Sequence, residues 1–188
     1  RNFIETPSMP GMGLTEEGTQ EVMGKVLMHC SGDLTKASEG DVSGFDWSVQ
    51  EWELRLDAEM RIRLMGAEAD GLAATIIRNR IHCVCNCVLS DADGNLYTVD
   101  IRGIQLSGSF NTSSTNSRIR WFMARLVGAS WAVTMGDDCV EEYVPGAEAL
   151  YKMYGHPLRM YKQCDSSFSF CSHHFEPGKA AYPEDVTK

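Results

Sequence analysis

Two aspartates stand side by side in Trp131-Ala-Val-Thr-Met-Gly-Asp-Asp-Cys-Val-Glu-Glu-Tyr143. Apolar and β-branched runs at 131–135 and 139–143 flank Gly136-Asp137-Asp138, the pattern of a hairpin whose turn carries the acids. Neighbouring carboxylates repel unless a cation lies between them, so such a tip is costly without a metal. Gly-Asp turns also join ordinary hairpins, and the tripeptide becomes informative through what precedes it. Asp41 closes a short strand pattern, and Asp46 follows five residues on. If those strands are neighbours in one sheet, Asp41, Asp137 and Asp138 converge at one edge. Two divalent ions about 3.5–4 Å apart, held by carboxylates, align an attacking hydroxyl and a leaving oxyanion for phosphoryl displacement. Hard oxygen ligands without paired His or Cys point to Mg²⁺ or Mn²⁺.

A third polar cluster lies between these acids. Ser107, Ser109, Thr112 and Asn116 put hydroxyls and an amide at the N-terminal end of a helix expected over 111–128, where the dipole and free N–H groups favour an anion. The same residues also suit a serine-rich capping loop, with Arg118, Arg120 and Arg125 as a solvated basic face. Ile119, Phe122, Met123 and Leu126 are the expected inward side.

The elements that must position these groups follow from periodicity. Residues 1–14, with Pro7, Pro10, Gly11 and Gly13, suit an extended loop. Thr15 is placed to cap a helix running to Gly32. Asp46 is placed to cap a helix whose inward stripe is Val49, Trp52, Leu56, Met60 and Leu64, and Leu72 to Ile81 continues as a second helix. Ile81–Leu89 and Asn95–Ile101 suit a hairpin closed by Asp91-Ala-Asp-Gly94, which puts Cys83, Cys85 and Cys87 on one strand face as zinc ligands or, in the blander reading, as buried small hydrophobes. A helix over 147–154, a strand over 158–162 and a strand pair over 168–175 complete the chain. Cys164, Cys171, His173 and His174 have zinc-ligand chemistry, although adjacent histidines on a strand point to opposite faces.

Composition narrows the class. With 188 residues, 43% hydrophobic, the chain can bury one core. Its net charge of −9 makes it, taken whole, a poor unaided grip on phosphate backbones. Seven cysteines at irregular spacing suggest reduced thiols in the cytoplasm. No apolar run approaches the ~20 residues of a membrane span, and the start lacks a signal-peptide apolar core.

Asp41-Val-Ser-Gly-Phe-Asp46, then Ser107-Gly-Ser-Phe-Asn-Thr112-Ser-Ser-Thr-Asn116, then Gly136-Asp-Asp138 resemble, in order and spacing, palm motifs A, B and C of viral RNA-dependent RNA polymerases. The wording of Gly44–Trp52, Asn111–Arg118 and Phe170–His173 resembles the sobemovirus and polerovirus group of positive-strand plant viruses, over residues from about 34 to 175. The resemblance implies an α+β right-hand palm with a small antiparallel sheet packed on helices, an RRM- or ferredoxin-like core. It implies a leading segment at 1–33, a palm at 34–165 with a hairpin insertion near 81–102, and a motif E hairpin with the start of a thumb at 166–188. Asp41, Asp137 and Asp138 would be catalytic and hold two Mg²⁺ or Mn²⁺ ions. Asp46, Asn116 and Thr112 would read the ribose, with Ser107 and Gly108 as a mobile nucleotide-contacting loop. Lys162, with Lys152 second, would protonate the leaving pyrophosphate as the motif D lysine. The reaction implied is RNA-templated RNA synthesis from NTPs, with an RNA template and nascent strand, other viral replication proteins and a possible protein primer as partners, in a replication complex in the host cytoplasm. Residues 1–33 hold only Arg1 and Lys25 as bases, where such polymerases carry a basic finger segment, so the chain is expected to be a palm-centred piece of a longer protein. A reverse transcriptase or other palm nucleotidyltransferase is the nearest alternative, and a non-catalytic interaction module a more distant one.

Overall fold

A computed structural model describes residues 7–98, 100 and 103–184. The expected loop over 1–14 and the expected strand end at Ile101 therefore fall partly outside the described residues. The first helix forms as α1 (Glu16–His29), and the Thr15 side chain caps it by accepting the Gly18 N–H at 3.3 Å. Strand β1 (Ala37–Val42) follows, then the short helix α2 (Phe45–Ser48) and the longer α3 (Glu51–Leu64) and α4 (Leu72–Cys85). The hairpin β2 (Val88–Ser90) and β3 (Leu96–Thr98) leads to α5 (Thr112–Leu126), the hairpin β4 (Ala132–Met135) and β5 (Asp138–Glu142), α6 (Ala147–Met153) and β6 (Leu158–Gln163). Three short strands close the chain: β7 (Phe168–Phe170), β8 (His173–Phe175) and β9 (Tyr182–Pro183).

Strands β4, β5, β1 and β6 form one antiparallel sheet in that order. Side chains alternate across it. Ala37, Val133 and Val140 enter one core with Val22 and Val26 of α1 and with Phe168, Phe170 and Phe175 of the terminal strands. Val42 enters a second core, on the other side of the sheet, with Leu54, Ala58, Ile119, Met123 and Tyr151. The sheet is thus covered on both faces by different elements, and β1 at its centre carries side chains to each.

Three sequence expectations are corrected. The expected hairpin closed by Asp91–Gly94 forms, but its first strand starts only at Val88: α4 runs through Cys85, burying Ala74, Ile81 and Cys85 while Cys83 is exposed. Helical packing against α3 outweighs the β-branched character of Ile81 and Val84, and the three cysteines do not share a face. Helix α3 presents a different side from the one expected. Leu54, Ala58 and Ile62 are buried with Glu53 and Asp57, whereas Trp52, Leu56 and Leu64 are exposed. Polar residues can take the inner face because each finds a partner: Glu53 Oε1 lies 2.7 Å from His156 Nε2, and Asp57 is paired with Arg118. Asp46 caps no helix. It lies in the first turn of α2, whose N-cap is Gly44 at φ 58°, and Gln50 starts α3 through a reciprocal capping box with Glu53.

Arg118 and Arg120 also depart from the solvated basic face. Arg118 bonds Asp57, and Arg120 is fully buried, donating to Glu141 Oε2 at 3.0 Å and to the Tyr151 hydroxyl at 2.6 Å. On the same helix Ile119 and Met123 are buried as expected, while Leu126 is exposed.

Candidate active site

Strand register places the acids. Gly40 of β1 pairs with Cys139 of β5, so the next rung sets Asp41 opposite Asp138, both on the face that carries Val140. Asp137 sits in the turn one residue earlier, after Gly136 at φ 66°. The hairpin is held from α5: the Gly136 N–H donates to Ser117 Oγ at 2.7 Å, and Thr134 Oγ1 donates to the Ser117 carbonyl at 2.8 Å. Ser117, the residue after Asn116 on α5, therefore fixes the tip that carries Asp137.

Asp137 lines an open pocket of about 440 Å³ with Asp46, Ser107, Asn116, Trp47 and Gly44. Asn116 Nδ2 donates to Asp46 Oδ1 at 3.1 Å, and the Ser107 hydroxyl donates to Asp46 Oδ2. A carboxylate only accepts, so the Asn116 amide must turn its NH₂ to Asp46, which leaves Oδ1 facing away. That Oδ1 is buried and has no protein partner. Thr112 does not join this group; its hydroxyl lies 2.7 Å from the Ser109 carbonyl, at the start of α5. Gly108 is in the exposed turn before α5, at φ 79°.

Two of the acids at the sheet edge have replaceable partners. Asp41 is ion-paired with Arg159, whose side chain is 76% exposed. Such surface pairs are worth only ~0–1 kcal/mol. Asp138 meets Cys171, in the turn between β7 and β8. Partial desolvation there, then the charges of Asp137 and Asp41, push the Asp138 carboxyl above the usual carboxylate range against the hydrogen bonds from Cys171. Among the described residues no three His, Cys, Asp or Glu side chains already close on one point in metal-holding geometry. The donor set itself suits hard divalent cations: three aspartates from adjacent strands, none locked by a strong buried pair.

Lys162 of β6 pairs across the sheet with Glu39, its Nζ 3.4 Å from Glu39 Oε1, on the face shared by Glu39 and Asp41. Lys152 is exposed in the last turn of α6. Sequence reasoning missed Arg159, Ser117 and Glu39, and offered Cys171 only as a zinc ligand, not as the neighbour of Asp138. Arg159 had a signal in its place three residues before Lys162. Cys171 and Ser172 both take positive φ, 50° and 57°, in a two-residue hairpin turn where Asn-Gly would be the ordinary choice. Nothing in the local sequence announces that turn.

A four-stranded antiparallel sheet with acids at one edge, flanked by a helix whose N-terminal residues line the adjoining pocket, is the arrangement expected of a polymerase palm. The chain belongs to the family of viral RNA-directed RNA polymerases, whose pattern it matches over residues 19–184. It is 43% identical over 181 residues to the replicase polyprotein P2AB of Southern cowpea mosaic virus, covering 93% of this chain and 19% of that one. It is 36% identical over 192 residues to protein P1-P2 of Potato leafroll virus, covering 97% of this chain and 18% of that protein. The chain thus spans about a fifth of the length of these relatives. The crystal structure of an insertion-loop deletion mutant of the RNA-dependent RNA polymerase of a human picorbirnavirus shares the fold, with a TM-score of 0.68, 15% identity, and coverage of 90% of this chain and 36% of that one. The expected family and fold class are both borne out.

Proposed function

We propose that this chain supplies the palm of a polymerase that copies RNA from an RNA template, adding NTPs to an RNA 3′-hydroxyl in the replication of a positive-strand RNA virus. In this reading residues 34–165 are the palm and 166–188 begin with the hairpin that supports the primer end. The observation that carries it is the orphaned Asn116 Oδ1 beside Asp46: a buried acceptor needs a donor, and a ribose hydroxyl is one that a deoxyribose lacks.

Asp41, Asp137 and Asp138 would hold two Mg²⁺ or Mn²⁺ ions, which when bound supply neutralisation of phosphate charge and a lowered pKa for the attacking hydroxyl. The chain's own residues then orient and exchange protons. Asp46 and Asn116 hold the incoming ribose, with Ser107 on the Asp46 carboxylate and Gly108 leaving room for the nucleotide in the loop before α5. Lys162 Nζ donates a proton to the leaving pyrophosphate as the bond between the primer oxygen and the α-phosphorus forms, the α–β phosphoanhydride bond breaks and the 3′-hydroxyl proton passes to solvent. Thr112 acts on this site by fixing the start of α5. RNA, other replication proteins and a protein primer would be the partners, in a replication complex in the host cytoplasm. No helix among the described residues is long and apolar enough to cross a membrane.

The test is single-nucleotide extension of an RNA primer by the full-length polymerase, comparing each NTP with its dNTP. The parent should prefer NTP, and Asn116→Ala should lose about 10–100-fold of that preference, the ~1–3 kcal/mol of one buried hydrogen bond. Equal use of both by the parent would overturn the ribose reading, and a dNTP preference would favour a reverse transcriptase.

A further inference from the structure

Glu39 is a buried carboxylate that the reaction as described does not use. It lies two residues before Asp41 on the central strand and faces the same side of the sheet. Its Oε2 accepts the Ser169 N–H of β7 at 2.6 Å, and its Oε1 lies 3.4 Å from Lys162 Nζ. The lysine side chain is 67% exposed while that of Glu39 is 8% exposed, so a fixed anchor holds a solvated, flexible arm. Anchoring a backbone N–H needs only a neutral acceptor, and burying a full charge for that purpose alone is costly. The charge has a use in the ammonium it faces. Its presence is also felt at Cys164, whose thiol is pushed up to about 12 by burial first and by Glu39 next. Lys162 stands one same-face step, ~7 Å of strand, from the rung where Asp41 meets Met160. An unrestrained lysine would sample many rotamers there, and ordering it would oppose the transfer.

We propose that Glu39 is a positioning residue that holds the Lys162 ammonium and the β7–β8 hairpin to one anchor, so that proton donor and primer support keep a fixed relation to Asp41. This rests on Lys162 being the proton donor. Glu39→Gln keeps an acceptor for the Ser169 N–H and removes the charge that holds the lysine.

The test uses the full-length polymerase on a preformed primer–template and compares the parent, Glu39→Gln, Lys162→Met and the double variant for kcat, KM for NTP and melting temperature. Loss of a general acid lowers kcat by about 10²-fold, and that is expected for Lys162→Met. Glu39→Gln is expected to lower kcat about 5–10-fold with KM and melting little changed, and to add less than about 2-fold in the Lys162→Met background. Equal Glu39→Gln effects in both backgrounds would make the residue a fold element only and overturn the proposal. A silent Glu39→Gln beside an impaired Lys162→Met would overturn it alone, whereas a silent Lys162→Met would overturn the proton-donor assignment and the proposal with it. If Glu39→Gln does not fold, Glu39→Asp, which withdraws the carboxylate by one methylene and keeps its charge, takes its place with the same outcomes.

Discussion

Asp138 and Glu141 are three residues apart on β5 and face opposite sides of one sheet. Glu141 is fully buried and saturated: Arg120 donates to it at 3.0 Å, the Tyr151 hydroxyl lies 2.7 Å away, and the Cys139 thiol is at 3.3 Å. Burial pushes both the Tyr151 phenol and the Cys139 thiol up, so they stay neutral donors. Arg120 Nη2 also reaches the Gly40 carbonyl at 3.5 Å, and a side chain at Gly40 would come within 3.0 Å of that guanidinium. Asp138 has a thiol turn for company and two like-charged neighbours. The lesson is that one β-hairpin carries two kinds of acid. On the inner face charge is neutralised permanently and ties β1, β5, α5 and α6 together. At the edge it is left underpaired, where a cation or phosphate can claim it.

The difference can be broken most forcefully from the buried side. Arg120→Met should cost about 3–5 kcal/mol in urea unfolding, because Glu141 is left charged and dry; adding Glu141→Leu should recover most of the loss. If the single variant unfolds like the parent, the network is not structural. At the edge the sign reverses. The folded pKa of Asp138 lies above its unfolded value, so its contribution to stability is full below the ordinary carboxylate range and is lost as pH rises through the folded pKa. Asp138→Asn should therefore be more stable than the parent at pH 7 and lose that advantage by pH 4, which paired urea titrations would show. The smallest effect is expected at Arg159→Met. Removing an exposed pair should change stability by no more than ~1 kcal/mol, and by freeing Asp41 it should lower the half-saturating Mn²⁺ concentration for nucleotide addition by up to about 5-fold. A raised Mn²⁺ requirement would mean that Arg159 assists the carboxylate.

Much of the edge was legible in the sequence, because its parts are local. Gly136-Asp137-Asp138 between two apolar runs encodes its own hairpin, and the spacing from Ser107 to Asn116 places an amide one turn into a helix whichever core that helix meets. The inner network was not legible. Arg120, on a helix rich in polar residues, has the pattern of a surface base, and only the arrival of Glu141 and Tyr151 from later elements makes its burial affordable. The same applies to α3: its stripe of Trp52, Leu56 and Leu64 was the stronger apolar pattern, yet Glu53 and Asp57 go inward because His156 and Arg118 await them. At α4, a short β-branched run at 81–84 suggested a strand, and packing on α3 carried the helix through it. Periodicity ranks faces by hydrophobicity and cannot see distant counter-charges.

The central claim is that the acids brought together by β1 and the β4–β5 hairpin carry nucleotide transfer. Its most direct test is extension of an RNA primer in Mg²⁺ and in Mn²⁺ by the full-length polymerase with Asp137→Asn, beside the parent, with primer–template affinity and melting measured on the same preparations. Incorporation should fall by about 10²–10³-fold or more, with affinity and melting close to those of the parent. Extension by Asp137→Asn at the parent's rate in either metal would contradict the account.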